Sequence, residues 1–169
     1  MAPAQVAVYA GTFDPITNGH VDILRRALRV FERVHLAVAE STTKKVVFSA
    51  EERIEMVREA TKSFASPPQL VVEAFDGLLV DYVRRVGAQV IVRGLRAVSD
   101  YEYEAQMAHI NRHLADDIET VFLVTSDRLS FVSSSIVKNI AGNGGTVDHL
   151  VPEVVAKRLA VTDRALLLR

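Results

Sequence analysis

Residues 6–31 read VAVYAGTFDPITNGHVDILRRALRVF, and the fold follows from how this stretch divides. Val6 to Ala10 is a short apolar run rich in β-branched residues, as in a buried strand. Gly11, Pro15, Asn18 and Gly19 punctuate a turn. Val21, Leu24, Leu28 and Phe31 then recur at helical spacing, with Arg25, Arg26 and Arg29 on the remaining surface. A buried strand therefore passes through a glycine-containing loop into a helix whose first turn carries His20. Helix starts present backbone N–H groups with no partner inside the helix, and their dipole favours negative charge. Gly11 permits close approach to the backbone, and His20 adds an imidazole. The unit suits a phosphate, although the same residues would also serve an ordinary turn. It is neither a Walker A loop nor a G-x-G-x-x-G fingerprint.

Working outward, strands and helices alternate. Val34 to Ala39 reads as a second strand, and strand–helix–strand with short connections is a right-handed parallel unit. Its loop, Glu40 to Val47, carries Lys44 and Lys45. Ser49-Ala50-Glu51-Glu52 is a capping box opening a helix to about Phe64. Leu70 to Ala74 is a third strand, Leu78 to Val86 a helix, and Val90-Ile91-Val92 a fourth strand running into Arg93-Gly94-Leu95-Arg96. Arginine forks match phosphate oxygens. Ser99-Asp100-Tyr101-Glu102 reads as a second capping box, opening a helix to about Leu114 on which Tyr103, Met107 and Ile110 are expected in the core. His109 and His113 lack the intervening Glu of a zinc motif and read as surface or core histidines. Thr120 to Val124 is a fifth strand, Thr125 to Val132 a loop, and Ser133-Ser134-Ser135 opens a helix to about Ala141, offering hydroxyls beside unpaired N–H groups. Val151-Pro152 starts a last helix.

The expected architecture is α/β, a doubly wound sheet of five parallel strands forming one domain over residues 1–169. Four candidate anion sites follow strands: the loop from Gly11 to His20, Lys44, Arg93 to Arg96, and the serine run. Ligands of open α/β sheets bind at the carboxyl edge, so convergence there would make one polyphosphate site.

Composition excludes several classes. The 169 residues are 49% hydrophobic and 24% charged, an ordinary globular balance. A net charge of −1 argues against a dedicated nucleic-acid surface. There is no cysteine, hence no disulfide, thiolate metal site or cysteine nucleophile. No apolar run approaches the roughly 18 residues of a membrane span, and no signal peptide is recognisable. A soluble cytoplasmic protein, without membrane or nucleic-acid partners, is expected.

The segments Gly11-Thr12-Phe13-Asp14-Pro15 and Thr17-Asn18-Gly19-His20 resemble the (H/T)-x-G-H signature of the nucleotidyltransferase superfamily. Arg93-Gly94-Leu95-Arg96, the acidic segment Ser99 to Glu104, and Ser130-Phe131-Val132-Ser133-Ser134-Ser135 extend that to a resemblance to the bacterial phosphopantetheine adenylyltransferase family, over about Val6 to Leu150. The resemblance implies a Rossmann-like nucleotidyltransferase fold and the penultimate step of coenzyme A biosynthesis. In that step AMP passes from ATP to 4′-phosphopantetheine, giving dephospho-coenzyme A and pyrophosphate, with Mg²⁺ as cofactor. By the family pattern, Thr12 and Phe13 contact ATP, with Thr12 also near the substrate phosphate, and His20 binds ATP and stabilises the transition state. Lys44, Leu79 and Arg93 bind phosphopantetheine, with Lys44 sharing the catalytic role. Gly94, Leu95, Arg96, Glu104 and the segment Leu129, Ser130, Phe131, Val132, Ser133, Ser134 and Ser135 bind ATP. No protein metal ligands are implied, since Mg²⁺ would sit on phosphates and water. The family is typically a homohexamer, a dimer of trimers, and commonly binds coenzyme A as a feedback ligand.

Three positions depart from the family: the Glu-Ser-Thr-Thr run before Lys44, Leu129 where an aromatic is common, and Asn139 in place of a glutamate near the pantetheine arm. Two other readings remain open from sequence: a related nucleotidyltransferase with another phosphorylated acceptor, and a nucleotide-binding module without turnover.

Overall fold

The computed structural model describes residues 6–40 and 45–168. Within them, strands β1 (Val6–Gly11), β2 (Arg33–Ala39), β3 (Leu70–Phe75), β4 (Val90–Leu95) and β5 (Glu119–Val124) form a single sheet in the order β3-β2-β1-β4-β5. All four pairings are parallel. Helices α1 (Asn18–Val30), α2 (Ala50–Thr61), α3 (Leu79–Arg85), α4 (Val98–Leu114), α5 (Ser134–Gly142), α6 (Glu153–Val161) and α7 (Arg164–Leu167), with a 3-10 turn at Asp127–Leu129, complete the described elements. The five-stranded doubly wound fold expected from sequence is the one observed. Among the described residues no helix is long and apolar enough to cross a membrane.

β1 is central and covered on both faces, which is why its sequence is a continuous apolar run. Its pleat divides it between two cores. Ala7 and Tyr9 face α1, α2 and α5 with Leu24, Val57 and Val137, whereas Val8 and Ala10 face α3 with Val80 and Val83. Ile23, Leu24 and Ala27 form the buried stripe of α1, with Val21 and Leu28 at its margins.

Caps set the helix starts. The Ser49–Glu52 capping box is present at α2, with both hydrogen bonds made. The one expected at Ser99–Glu102 is not. α4 begins at Val98 behind Ala97, with no side-chain cap, so Ser99 lies inside the first turn and cannot be the N-cap; in that turn the Asp100 carboxylate accepts from the backbone and guanidinium of Arg96. Tyr103 and Ile110 are also not core residues; they are 59% and 43% exposed. α4 packs over β4 and β5 at the open edge of the sheet, so the apolar face that the spacing implied has too little structure to close over it. Met107 goes to a cavity wall. His109 and His113 are exposed.

Arg53, on α2, is the largest fully buried side chain, 1% exposed. Its Nε donates to Phe48 O at 3.0 Å, and its Nη1 donates to Thr12 O at 2.7 Å and Ala39 O at 2.9 Å. One guanidinium thereby fixes the chain where it leaves β1 and where it leaves β2. Replacing Arg53 by Met keeps the volume but strands these buried carbonyls. The expected loss is about 3 kcal/mol of stability, read as a lower denaturation midpoint at unchanged m-value.

Candidate active site

The order of strands reverses between β1 and β4, and there the carboxyl edge of the sheet opens into a cavity of about 720 Å³. Ala39, Phe75 and Leu79 line its β2–β3 end, and Gly94, Arg96, Thr120 and Thr125 its β4–β5 end. Thr12, Phe13 and His20 form its middle, and Ser133, Ser134, Ser135 and Lys138 a wall from α5. Three of the four expected anion sites thus open on one space. Lys44, the fourth, lies outside the described residues, but Lys45 lines the cavity.

The loop after β1 is bent to present His20. Phe13 adopts a left-handed φ of +50°, an unfavourable region for an aromatic residue, and its ring is buried between Tyr9 and His20 with edge-on contacts at 5.3 and 5.2 Å. Gly11 lets the Phe13 ring lie close against the backbone, since a Cβ would be 3.1 Å from that ring. Thr17 caps α1, and the Thr17 backbone N–H donates to His20 Nδ1 at 3.0 Å. An N–H can only donate, so Nδ1 is an acceptor and the neutral ring carries its proton on Nε2. Burial, followed by the charges of Arg96 and Arg93, lowers the His20 pKa to about 4. At neutral pH His20 is therefore an uncharged N–H donor.

Arg93 and Glu104 form a close bidentate pair, Nε–Oε2 2.6 Å and Nη2–Oε1 2.6 Å, while Arg93 Nη1 donates to Ala10 O at 2.6 Å. Burial works against the guanidinium charge, but the carboxylate outweighs it and holds Arg93 above its usual pKa. Arg96 bonds to Asp100 and, through Nη1, to Val132 O. Gly94 between them admits α1, since a Cβ there would meet Ile23 at 3.1 Å. On α5, Ser133 caps the helix by accepting from Ile136 N, and Ser134 donates to Pro15 O at 2.8 Å. The first-turn N–H groups beyond the cap have no partner within the helix.

Of the other residues singled out from sequence, Glu104 and Val132 also line the cavity. Leu95, Leu129, Ser130 and Phe131 are not part of its wall: Leu129 packs on the core, Ser130 donates to Asp127 O, and Phe131 is 58% exposed. Asn139 is exposed outside the cavity. Sequence reasoning missed Asp14 and Lys138. Asp14, 3% exposed, accepts from Val47 N and Phe48 N and pairs with Lys138 at 2.8 Å. The signal for Lys138 was its place one helical turn after Ser134. Asp14 stood in the Gly11–Pro15 segment, but nothing in the sequence links it to residues 47 and 48.

Fold and site define a nucleotidyltransferase of the cytidylyltransferase-like family, whose model matches residues 8–140. The chain is 55% identical over 155 residues to phosphopantetheine adenylyltransferase of Moorella thermoacetica, covering 92% of this chain and 95% of that one. It is 54% identical over 156 residues to the enzyme of that name from Thermodesulfovibrio yellowstonii, with the same coverages, and 53% over 154 residues to that of Thiobacillus denitrificans, covering 91% and 94%. The chain belongs to the phosphopantetheine adenylyltransferase family. Among solved structures, a bifunctional NMN adenylyltransferase/ADP ribose pyrophosphatase from Francisella tularensis shares the fold with a TM-score of 0.69 at 14% identity. The match covers 95% of this chain and about half, 51%, of that one.

The His20 environment has a pH signature. Between pH 6.5 and about 4 the unfolded chain binds a proton at this position and the folded one does not. The contribution of neutral His20 to stability is therefore complete above pH 6.5 and disappears as the pH falls towards 4. NMR should show the His20 ring titrating near pH 4, and a His20→Asn variant should lose less stability than the parent across that window.

Proposed function

We propose that this cavity is where AMP is transferred from ATP to 4′-phosphopantetheine, giving dephospho-coenzyme A and pyrophosphate. The observation that carries this reading is the convergence of a neutral His20 donor, the Arg93/Arg96 pair and the capped N-terminus of α5 on one space at the sheet's carboxyl edge.

The chemistry asks little of a general base. The acceptor phosphate is already ionised at neutral pH, and one of its oxygens attacks the α-phosphorus of ATP. A new P–O bond forms, the bond from the α-phosphorus to the α,β-bridging oxygen breaks, and pyrophosphate leaves with its electron pair. Positioning and electrostatics suffice for such a displacement. His20, held by Thr17, would donate Nε2–H to an α-phosphate oxygen as charge builds there. Lys44, with Lys45 beside it, would counter the same charge. Arg93, steadied by Glu104, would hold the acceptor phosphate, with Thr12 nearby and Leu79 against the pantetheine arm. Phe13, Gly94, Leu95 and Arg96 would hold the nucleotide, and Leu129 to Ser135, with the start of α5, its polyphosphate.

The carboxylates lining the cavity are engaged: Asp14 by Lys138, Asp100 by Arg96 and Glu104 by Arg93. Mg²⁺ therefore fits as an ion carried by phosphate oxygens and water, where it would neutralise charge on the departing pyrophosphate. The exposed apolar side chains of α4 and β5, with Tyr101, Tyr103, Ile110 and Val124 among them, support packing between copies, which the homohexamer of the family would need. A cysteine-free sequence suits the cytoplasm. Feedback binding of coenzyme A belongs to the same reading, since the product portion of that molecule would fit the same cavity.

Pyrophosphate release from ATP and Mg²⁺ should require 4′-phosphopantetheine, and should not occur with nicotinate mononucleotide, or with glycerol-3-phosphate and either ATP or CTP. Release with another acceptor would move the substrate, and silence with all of them from a folded, ATP-binding protein would leave a binding module. In His20→Ala, kcat should fall by about 10²–10³-fold while the ATP Kd is largely retained; full turnover in that variant would remove His20 from the transition state.

A further inference from the structure

Tyr9 has a hydroxyl that neither the core nor the reaction scheme uses. The residue lies on central strand β1, is 4% exposed, and packs edge-on against Phe13. Packing alone would be satisfied by phenylalanine. Among the described residues the hydroxyl makes no hydrogen bond, yet no side-chain oxygen sealed from solvent is left unpaired. The hydroxyl must therefore reach open space, and Tyr9 belongs to the wall of the cavity. With no protein partner, the hydroxyl takes its hydrogen bond from whatever fills the cavity, water or a bound ligand.

Its position indicates what that is. A Cβ on Gly94 would lie 3.9 Å from Tyr9 Oη, so the hydroxyl points from β1 towards β4. That is the end of the cavity marked by Gly94 and Arg96, away from the Phe75–Leu79 end beyond β2. Burial raises the phenol pKa, with Arg93, Glu104, Asp22 and Arg96 the charged groups around it. The group stays protonated throughout the working range and can donate.

We propose that the Tyr9 hydroxyl donates a hydrogen bond to a ribose or phosphate oxygen of the bound nucleotide, and so contributes to ATP affinity rather than to acceptor affinity. This rests on the cavity being the ATP site.

Tyr9→Phe removes a single atom. By calorimetric titration with ATP the variant should bind about tenfold more weakly than the parent. Its thermal midpoint without ligand should be little changed, because the hydroxyl has no protein partner to lose. The KM for phosphopantetheine at saturating ATP should stay within about twofold. A Kd for ATP within about twofold of the parent, in a variant that melts normally, would overturn the assignment, as would an equal loss for the acceptor. Titration of the parent separates the two ideas. If the parent itself does not bind ATP, the nucleotide reading of the cavity falls and the role of Tyr9 falls with it; if the parent binds and the variant is unchanged, only Tyr9 is wrong.

Discussion

The Asp14 carboxylate joins three parts of the chain that are far apart in sequence. It belongs to the loop after β1, receives the N–H groups of Val47 and Phe48 from the segment after β2, and is paired with Lys138 from α5. Arg53 reinforces the same junction from beneath, through the carbonyls of Thr12 and Ala39. A buried carboxylate is tolerable only when its oxygens are satisfied and its charge matched, so loop, segment and helix must come together or each leaves an orphaned group. The cavity is the space those three constraints hold open.

Within it, charge is arranged in layers. Each arginine of the wall is steadied by a carboxylate on α4, Arg93 by Glu104 and Arg96 by Asp100. Such pairing limits the repulsion among cations gathered around one space and fixes the direction in which each fork points. His20 is treated differently. It has no carboxylate partner among the described residues; instead its Nδ1 is occupied by a backbone N–H, and the two arginines help keep it neutral. A donor without net charge can respond to charge that develops on a phosphate oxygen without binding the ground state equally tightly, which is the condition for lowering a barrier.

The α4–β5 side obeys another constraint. β5 is the last strand of the sheet, and helix α4 leaves tyrosines, an isoleucine and a leucine exposed. The periodicity that suggested a core helix was real as a pattern of apolar residues. What covers those residues is not contained in the periodicity, and within this chain part of the face turns to the cavity and part to solvent.

The amino-acid sequence by itself determined the order and type of the elements, the parallel sheet and the four segments that follow its strands, because hydrophobic period, capping residues and glycine positions are local and legible along the chain. The neutral state of His20, the pairing of Arg93 with Glu104 and the convergence of Asp14, Lys138 and Arg53 were decided only in the tertiary structure. These depend on contacts between residues up to 124 positions apart, and on burial, which no local pattern encodes. The start of α4 shows the same division at short range: Ser99 to Glu102 matches a capping box, but the helix begins at Val98, which puts Ser99 inside the first turn, where Asp100 pairs with Arg96.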